Sequence, residues 1–172
     1  MSDGIEVRAL STSDWAALKE IRLRALRTER GLFFSTPEAE QHDTDDQWRE
    51  RTQNPNRQMF GVFDGARLVG MTGVITARDD PSGETAMFIS SYLMPEYRGR
   101  GLTRLMYEAR LQWVNAQGRY RRVEVSHRRS NEISRRAIRR FGFVHTKSIS
   151  ATWPDGTVDD EVLYELVLPP PA

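Results

Sequence analysis

The sequence predicts an α/β protein of the mixed α+β kind: a central, mostly antiparallel sheet flanked by helices. Three observations predict it. Short apolar runs of alternating pattern are separated by D-G, P-S-G and P-D-G turn signals, the signature of β-hairpins. Longer stretches repeat apolar residues three and four apart, the period of a helix buried on one side. One such helical stretch follows a glycine-rich turn between two strand patterns, a step that calls for a parallel pair inside the antiparallel sheet. A chain of 172 residues suits a single domain, residues 1–172, with a core that needs no metal or disulfide.

The elements follow in order. Ile5 to Leu10 alternates as a first strand, and Ser11 with Asp14 makes a helix-starting box before Trp15, Leu18, Ile21, Leu23 and Leu26, a helix expected to stop near Gly31. After an irregular segment, Thr44 to Gln47 repeats the capping-box pattern for a short second helix that ends before Asn54-Pro55-Asn56. A hairpin turning at Asp64-Gly65, a turn at Asp79 to Gly83 and the strand TAMFISSYL give three successive antiparallel strands. The next helix places Leu102, Leu105, Met106, Ala109 and Trp113 on one face and closes at Gly118. RRVEVS is a short strand, Asn131 to Phe141 a helix with Ile133, Ala137, Ile138 and Phe141 inward, and the tail a long hairpin turning at Pro154 to Gly156. The predicted order is β-α-α-β-β-β-α-β-α-β-β.

The stretch YRGRGLTRLM, Tyr97 to Met106, carries the chemistry. A glycine-rich turn that opens a helix leaves backbone N–H groups without intrahelical partners, and the helix dipole adds positive potential there. Gly99 and Gly101 let the backbone approach an anion closely, while Arg98, Arg100 and Arg104 surround it with positive charge. Phosphate is the anion this pattern suits.

Composition removes other chemistries. The chain has no cysteine, which excludes disulfides, zinc-thiolate sites and thiol nucleophiles and suits a reducing compartment. No long apolar run and no basic-then-apolar leader pattern occur, so a cytoplasmic protein with no membrane partner is expected. Net charge is +1, too small for strong attraction to nucleic acid or lipid surfaces. Arginines do cluster from Arg119 to Arg140, but Arg135, Arg136, Arg139 and Arg140 fall opposite the apolar face of their helix, where solvation explains them.

At this point the chain resembles the GNAT superfamily of acetyl-CoA-dependent N-acetyltransferases. Two motifs carry the resemblance: Leu93 to Thr103, LMPEYRGRGLT, is similar to the family's V-x-P-x-x-R-G-x-G-x-G/A, and Asn131 to Phe143, NEISRRAIRRFGF, to its N-x-x-A-x-x-L-Y-x-x-x-G-F. The resemblance implies a GNAT fold and a reaction in which acetyl-CoA donates its acetyl group directly to a primary amine, leaving coenzyme A. It implies a pyrophosphate cradle from Arg98, Gly99, Arg100, Gly101, Leu102, Thr103 and Arg104. It implies a pantetheine arm paired along Tyr92, Leu93 and Met94, a Leu93 N–H facing the thioester carbonyl, and a cofactor contact from Asn131. A homodimer also fits the family. Two positions depart from it: Thr103 replaces Gly or Ala, and Ile138 stands where many members carry the tyrosine that protonates the thiolate.

For the remaining proton work, Glu124 lies on the strand where some relatives place a catalytic glutamate, with pairing to neighbouring arginines as its other reading. Tyr92 is a second candidate, shaping the acceptor pocket or donating a proton, with core packing as its other reading. His127 reads as a solvated loop residue. The acidic run Glu38, Glu40, Asp43, Asp45 and Asp46, beside Phe33 and Phe34, suggests a cationic amine acceptor, small molecule or peptide. Two rival readings stay open: a GNAT domain that binds acetyl-CoA without catalysis, and an arginine-rich nucleic-acid module.

Overall fold

The structure, a computed structural model, describes residues 4–170; the ends of the expected 1–172 domain lie outside them. Its elements are β1 (Ile5–Ala9), α1 (Trp15–Thr28), α2 (Pro37–Glu40), α3 (Asp45–Glu50), β2 (Arg57–Asp64), β3 (Arg67–Thr76), β4 (Thr85–Leu93), α4 (Leu102–Gln117), β5 (Arg122–Arg128), α5 (Glu132–Arg140), β6 (Val144–Thr152) and β7 (Val158–Val167), with short 3-10 turns at Thr12–Asp14 and Pro95–Tyr97. The strands form one sheet in the order β1-β2-β3-β4-β5-β7-β6.

Local chemistry sets the element ends. Ser11 N–H donates to the Asp14 carboxylate at 2.8 Å before α1, and Thr44 and Gln47 exchange bonds at the start of α3. Three helices, not two, precede β2, because Thr36 caps a single turn that begins at Pro37. β5 runs through His127 to Arg128, so the SHRRSN stretch is half strand rather than loop. Ile133, expected inward, is 78% exposed, whereas Ala137, Ile138 and Phe141 pack against the core.

Every neighbouring pair of strands is antiparallel except β4 and β5, whose parallel pairing lasts only from Thr85↔Arg122 to Met87↔Glu124. Beyond that rung β4 stays on β3 as far as Leu93, and β5 stays on β7 as far as Arg128↔Glu161. The sheet therefore splits. A β-bulge accompanies the split: Gly73 faces Ile89 and Met71 faces Tyr92, leaving Ser90 and Ser91 together opposite Thr72. Ser90 has φ of 58° and is the only non-glycine residue with positive φ among the described residues. The extra residue inverts side-chain alternation, so that Phe88 and Ser91 face α4 while Tyr92 faces α1.

Candidate active site

The split in the sheet opens a cleft of about 1030 Å³ that reaches from the loop before α4 to the helices before β2. At its first end, Gly99 and Gly101 have φ of 75° and 76°, and a Cβ on either would meet no atom within 4 Å. The left-handed backbone, not crowding, is what requires glycine there. Arg98 N–H bonds Pro95 and Arg104 N–H bonds Gly101, but among the described residues the N–H groups of Gly99, Arg100, Gly101, Leu102 and Thr103 have no acceptor. These five consecutive donors sit at the positive end of a 16-residue helix.

The side chains of this loop divide their work. Leu102 is buried and anchors the helix start in the core, while Thr103 lines the cleft. Arg98 turns back, donating from Nε to the Leu93 carbonyl at 3.0 Å and pairing with Glu29. Arg104 pairs with Glu108 at 2.7 Å, and Arg100 lies over the Tyr97 ring. Just past β4, Met94 N–H bonds the Val69 carbonyl at 2.9 Å. Strand alternation then points the Leu93 N–H away from β3 and into the split. Tyr92 is buried, with its hydroxyl 3.3 Å from Thr28 Oγ1 of α1.

The sequence reading missed two residues on α4. Arg110 is 1% exposed, lines the cleft, and has no carboxylate partner. Its guanidinium lies 4.1 Å from the Phe88 ring centre and 4.3 Å from that of Tyr107; Nη1 donates to Ser91 Oγ at 3.2 Å, and Nη2 has no partner. Burial lowers its pKa to about 10, so it stays charged at neutral pH. Tyr107, whose pKa burial raises, stacks on Phe141 at 4.2 Å, one turn from Ile138, and Ile138 also lines the cleft. An arginine in an amphipathic helix reads as solvated, so only the i, i+3 spacing from Tyr107 signals the pair.

Across the split, Asn131 caps α5 by accepting Ser134 N–H at 3.2 Å and also lines the cleft. His127 is buried in β5, donating from Nδ1 to the Arg128 carbonyl at 2.6 Å and accepting the Tyr164 hydroxyl at Nε2; burial lowers its pKa and keeps it neutral. Glu124 lies on the last parallel rung, outside the cleft lining, where burial and then Asp79 and Glu165 raise its pKa. Glu161 of β7 does line the cleft, held by the Ser126 hydroxyl at 2.6 Å. Its place in the DDEV run gave no sequence signal.

At the far end, the early acidic residues are largely engaged. Glu40 binds Arg22 at 2.7 Å and Arg51 at 2.9 Å, and Arg51 also binds Asp43 at 2.5 Å. Burial alone would raise the Glu40 pKa; the Arg22 and Arg51 guanidiniums overcome it and bring it down to about 2. Asp46 pairs with Arg49 and Asp45 with Lys19, away from the cleft. Phe34 stacks on Trp153 at 4.1 Å as an apolar wall. The arginine-rich segment is partly neutralised as well, Arg128 by Asp155 and Asp159, Arg129 by Asp160 and Arg135 by Glu132. Among the described residues no cluster of His, Asp and Glu suits a metal ion, and no helix is long and apolar enough to cross a membrane.

Comparison with known proteins agrees with this geometry. Residues 15–143 match the sequence model of the Acetyltransferase (GNAT) family. No curated protein matches the chain in sequence. Similar solved structures include a GNAT-family acetyltransferase from Streptococcus pneumoniae, with 17% identity and TM-score 0.82 over 95% of this chain and 99% of that one. The protein yncA from Salmonella typhimurium, solved with its cofactor acetyl-CoA, has 20% identity and TM-score 0.81 over 96% and 95%. A ribosomal-protein-S5-alanine acetyltransferase from Vibrio fischeri has 18% identity and TM-score 0.78 over 95% and 93%.

Proposed function

The chain belongs to the GNAT family of acetyltransferases, and from that premise we propose that it transfers the acetyl group of acetyl-CoA to a primary amine, the two substrates meeting in the split between β4 and β5. The observation that carries this reading is the run of five unpartnered N–H groups from Gly99 to Thr103 at the start of α4. They suit the coenzyme pyrophosphate, with Arg100 adding charge nearby and Arg98 and Arg104 doing so only on leaving Glu29 and Glu108. The free edge of β4 at Leu93 suits a pantetheine amide, whereas Met94, expected beside it, is buried with its N–H on Val69, and Asn131 closes the opposite side. The acetyl-CoA bound in the yncA structure supports the same choice of cofactor.

The chain's own groups then divide the reaction. The Leu93 N–H donates to the oxyanion that develops as the amine attacks the thioester. An ammonium must first lose a proton, and Glu161 and Glu124 are the carboxylates on the β7 and β5 strands nearest the split, with Glu161 on the cleft wall. Ile138 cannot protonate the departing thiolate. Tyr107, protonated at neutral pH and stacked one turn from Ile138, takes that role, while Tyr92 shapes the acceptor side through its contact with α1. A cytoplasmic site of action suits the cysteine-free chain. The outer strand β6, exposed along all but Ala151, offers an edge on which a homodimer could pair.

Calorimetric titration of acetyl-CoA tests the reading. Wild type binds, Gly101→Glu loses at least tenfold in affinity, and Gly118→Glu, equally left-handed at the other end of α4, keeps it. No binding by wild type would overturn the proposal. The second reading, cofactor binding without catalysis, is favoured by Ile138 alone; thiol release with any amine in a panel would end it.

A further inference from the structure

We propose that the acceptor is a small amine carrying its own acidic group, a carboxylate or a phosphonate, and that Arg57 and Arg78 bind that group; the inference rests on the acetyltransferase reading above and names the substrate class of the same site. The sequence suggested the opposite, a cationic acceptor drawn by acidic residues. The structure spends those carboxylates internally. Glu40 is held between Arg22 and Arg51, Asp43 is bound by Arg51, and Glu50 accepts from the Asn54 side chain.

What remains at this end of the cleft is positive. Arg57 opens β2 and Arg78 follows the end of β3; these antiparallel neighbours start and finish at the same edge of the hairpin, with Arg57 opposite Ile75. Both arginines line the cleft. Among the described residues neither guanidinium has an ion-pair partner or donates a hydrogen bond. Burial is the first reason that the Arg57 pKa falls, and the charges of Arg51, Arg78 and Arg22 lower it further, against only Glu50. A guanidinium stays charged under any physiological condition, so a half-buried one without a counter-ion is held at a cost that an incoming anion relieves. Its planar donor fork matches the oxygens of a carboxylate or phosphonate. Leu18, Trp48 and Met59 line the same cleft and suit an apolar side chain on the acceptor. A peptide without acidic residues near its N-terminus offers these guanidiniums no anion, and a polyamine would meet repulsion.

The test is initial-rate acetylation, read by thiol release, with four sets of probes: the twenty amino acids, their methyl esters, aminomethylphosphonate, and a neutral-or-cationic set of spermidine and the tripeptide amide Ser-Ala-Ala-NH2. We expect an anion-bearing probe to be the preferred acceptor, with the carboxylate and phosphonate arms showing which acid is read. Esterification should lower kcat/KM at least a hundredfold. Arg57→Gln should raise KM for the acid ten- to a hundredfold with little change for the ester, and the exposed Arg78→Gln should show the same pattern more weakly without affecting folding. Equal use of acid and ester, acceptance of only spermidine or the tripeptide, or no turnover of any anion-bearing probe by protein that binds acetyl-CoA would overturn the inference while leaving the acetyltransferase reading intact. Failure to bind acetyl-CoA would instead remove that reading itself.

Discussion

Arg110 Nη1 donates to Ser91 Oγ across 3.2 Å, tying the middle of α4 to the bulge of β4. Ser91 Oγ lies 2.9 Å from Thr72 Oγ1 on β3, so one hydroxyl joins helix, bulge and neighbouring strand. A charged donor is an expensive way to make this link, because burial works against the guanidinium and one of its nitrogens is unpartnered. We read Arg110 as a positioning residue, holding the bulge whose far side presents the Leu93 N–H to the split.

Arg110→Met should therefore separate stability from activity. Methionine fills similar space between Phe88 and Tyr107 without a buried charge, so the melting temperature is expected to hold or rise. A hydrogen bond from a charged group is worth about 1.5–3 kcal/mol, so kcat is expected to fall roughly ten- to a hundredfold while KM for acetyl-CoA changes little. Equal losses in stability and kcat, measured by thermal melts and steady-state kinetics, would reduce Arg110 to a packing residue.

Ser90 carries the strain of the same bulge at φ of 58°. Left-handed backbone costs a non-glycine residue about 1–2 kcal/mol, while glycine gives back roughly 0.5–1 kcal/mol in unfolded-state entropy. Ser90→Gly is thus expected to be neutral to slightly stabilising and to keep activity within about threefold, given that the bulge survives. Ser90→Val, whose branched Cβ opposes positive φ, is expected to lower both the melting temperature and kcat. Melts and rates on the two variants check the contrast.

Glu40 predicts how stability depends on acid. Its folded pKa of about 2 lies below its ordinary value of 4.5, so between those values the unfolded chain binds more protons than the folded one. The stabilisation is complete above pH 5 and drains as pH falls toward 2. Its size is on the order of 3 kcal/mol. Glu40→Gln should lower the melting temperature at pH 7 by roughly 6–12 °C, leaving Arg22 and Arg51 without their shared partner. The gap from wild type should close as both proteins are melted at successively lower pH. A gap that is constant from pH 7 to 3 would show that packing, not charge, is what glutamine disturbs.

The sequence made the strands and the glycine-rich turn before α4 legible because their signals are local. D-G and P-D-G turns fix hairpins within a few residues, and positive φ at Gly99 and Gly101 is a property of the loop itself. The single turn at Pro37–Glu40 is too short to show a helical period, so α2 escaped. Arg110, Tyr107 and Glu161 escaped for a different reason: each acquires its meaning from the split between β4 and β5, which depends on where parallel pairing stops. The acidic run was legible as charge but misleading as a site, because Arg22, Arg51 and Asn54 neutralise or occupy it only once α1, α2 and α3 pack together.

The base proposed above is chosen by the same split. Glu124 lies on the last paired rung, with burial and two neighbouring carboxylates raising its pKa. Glu161 lies past that rung, opposite Arg128, and keeps one oxygen on the Ser126 hydroxyl. An amine with a pKa near 10 is almost wholly protonated at neutral pH, so removing its base costs most there and least where the amine is already free. Glu161→Gln is expected to lower kcat/KM by about a hundredfold at pH 7 and by less than tenfold at pH 9.5. Glu124→Gln is expected to cost less at pH 7. The shrinking deficit identifies a base, since a residue that only positions substrate would lose the same factor at every pH. If Glu124→Gln shows the larger and pH-dependent loss instead, the proton leaves through the paired rung of the sheet and Glu161 serves only to hold Ser126.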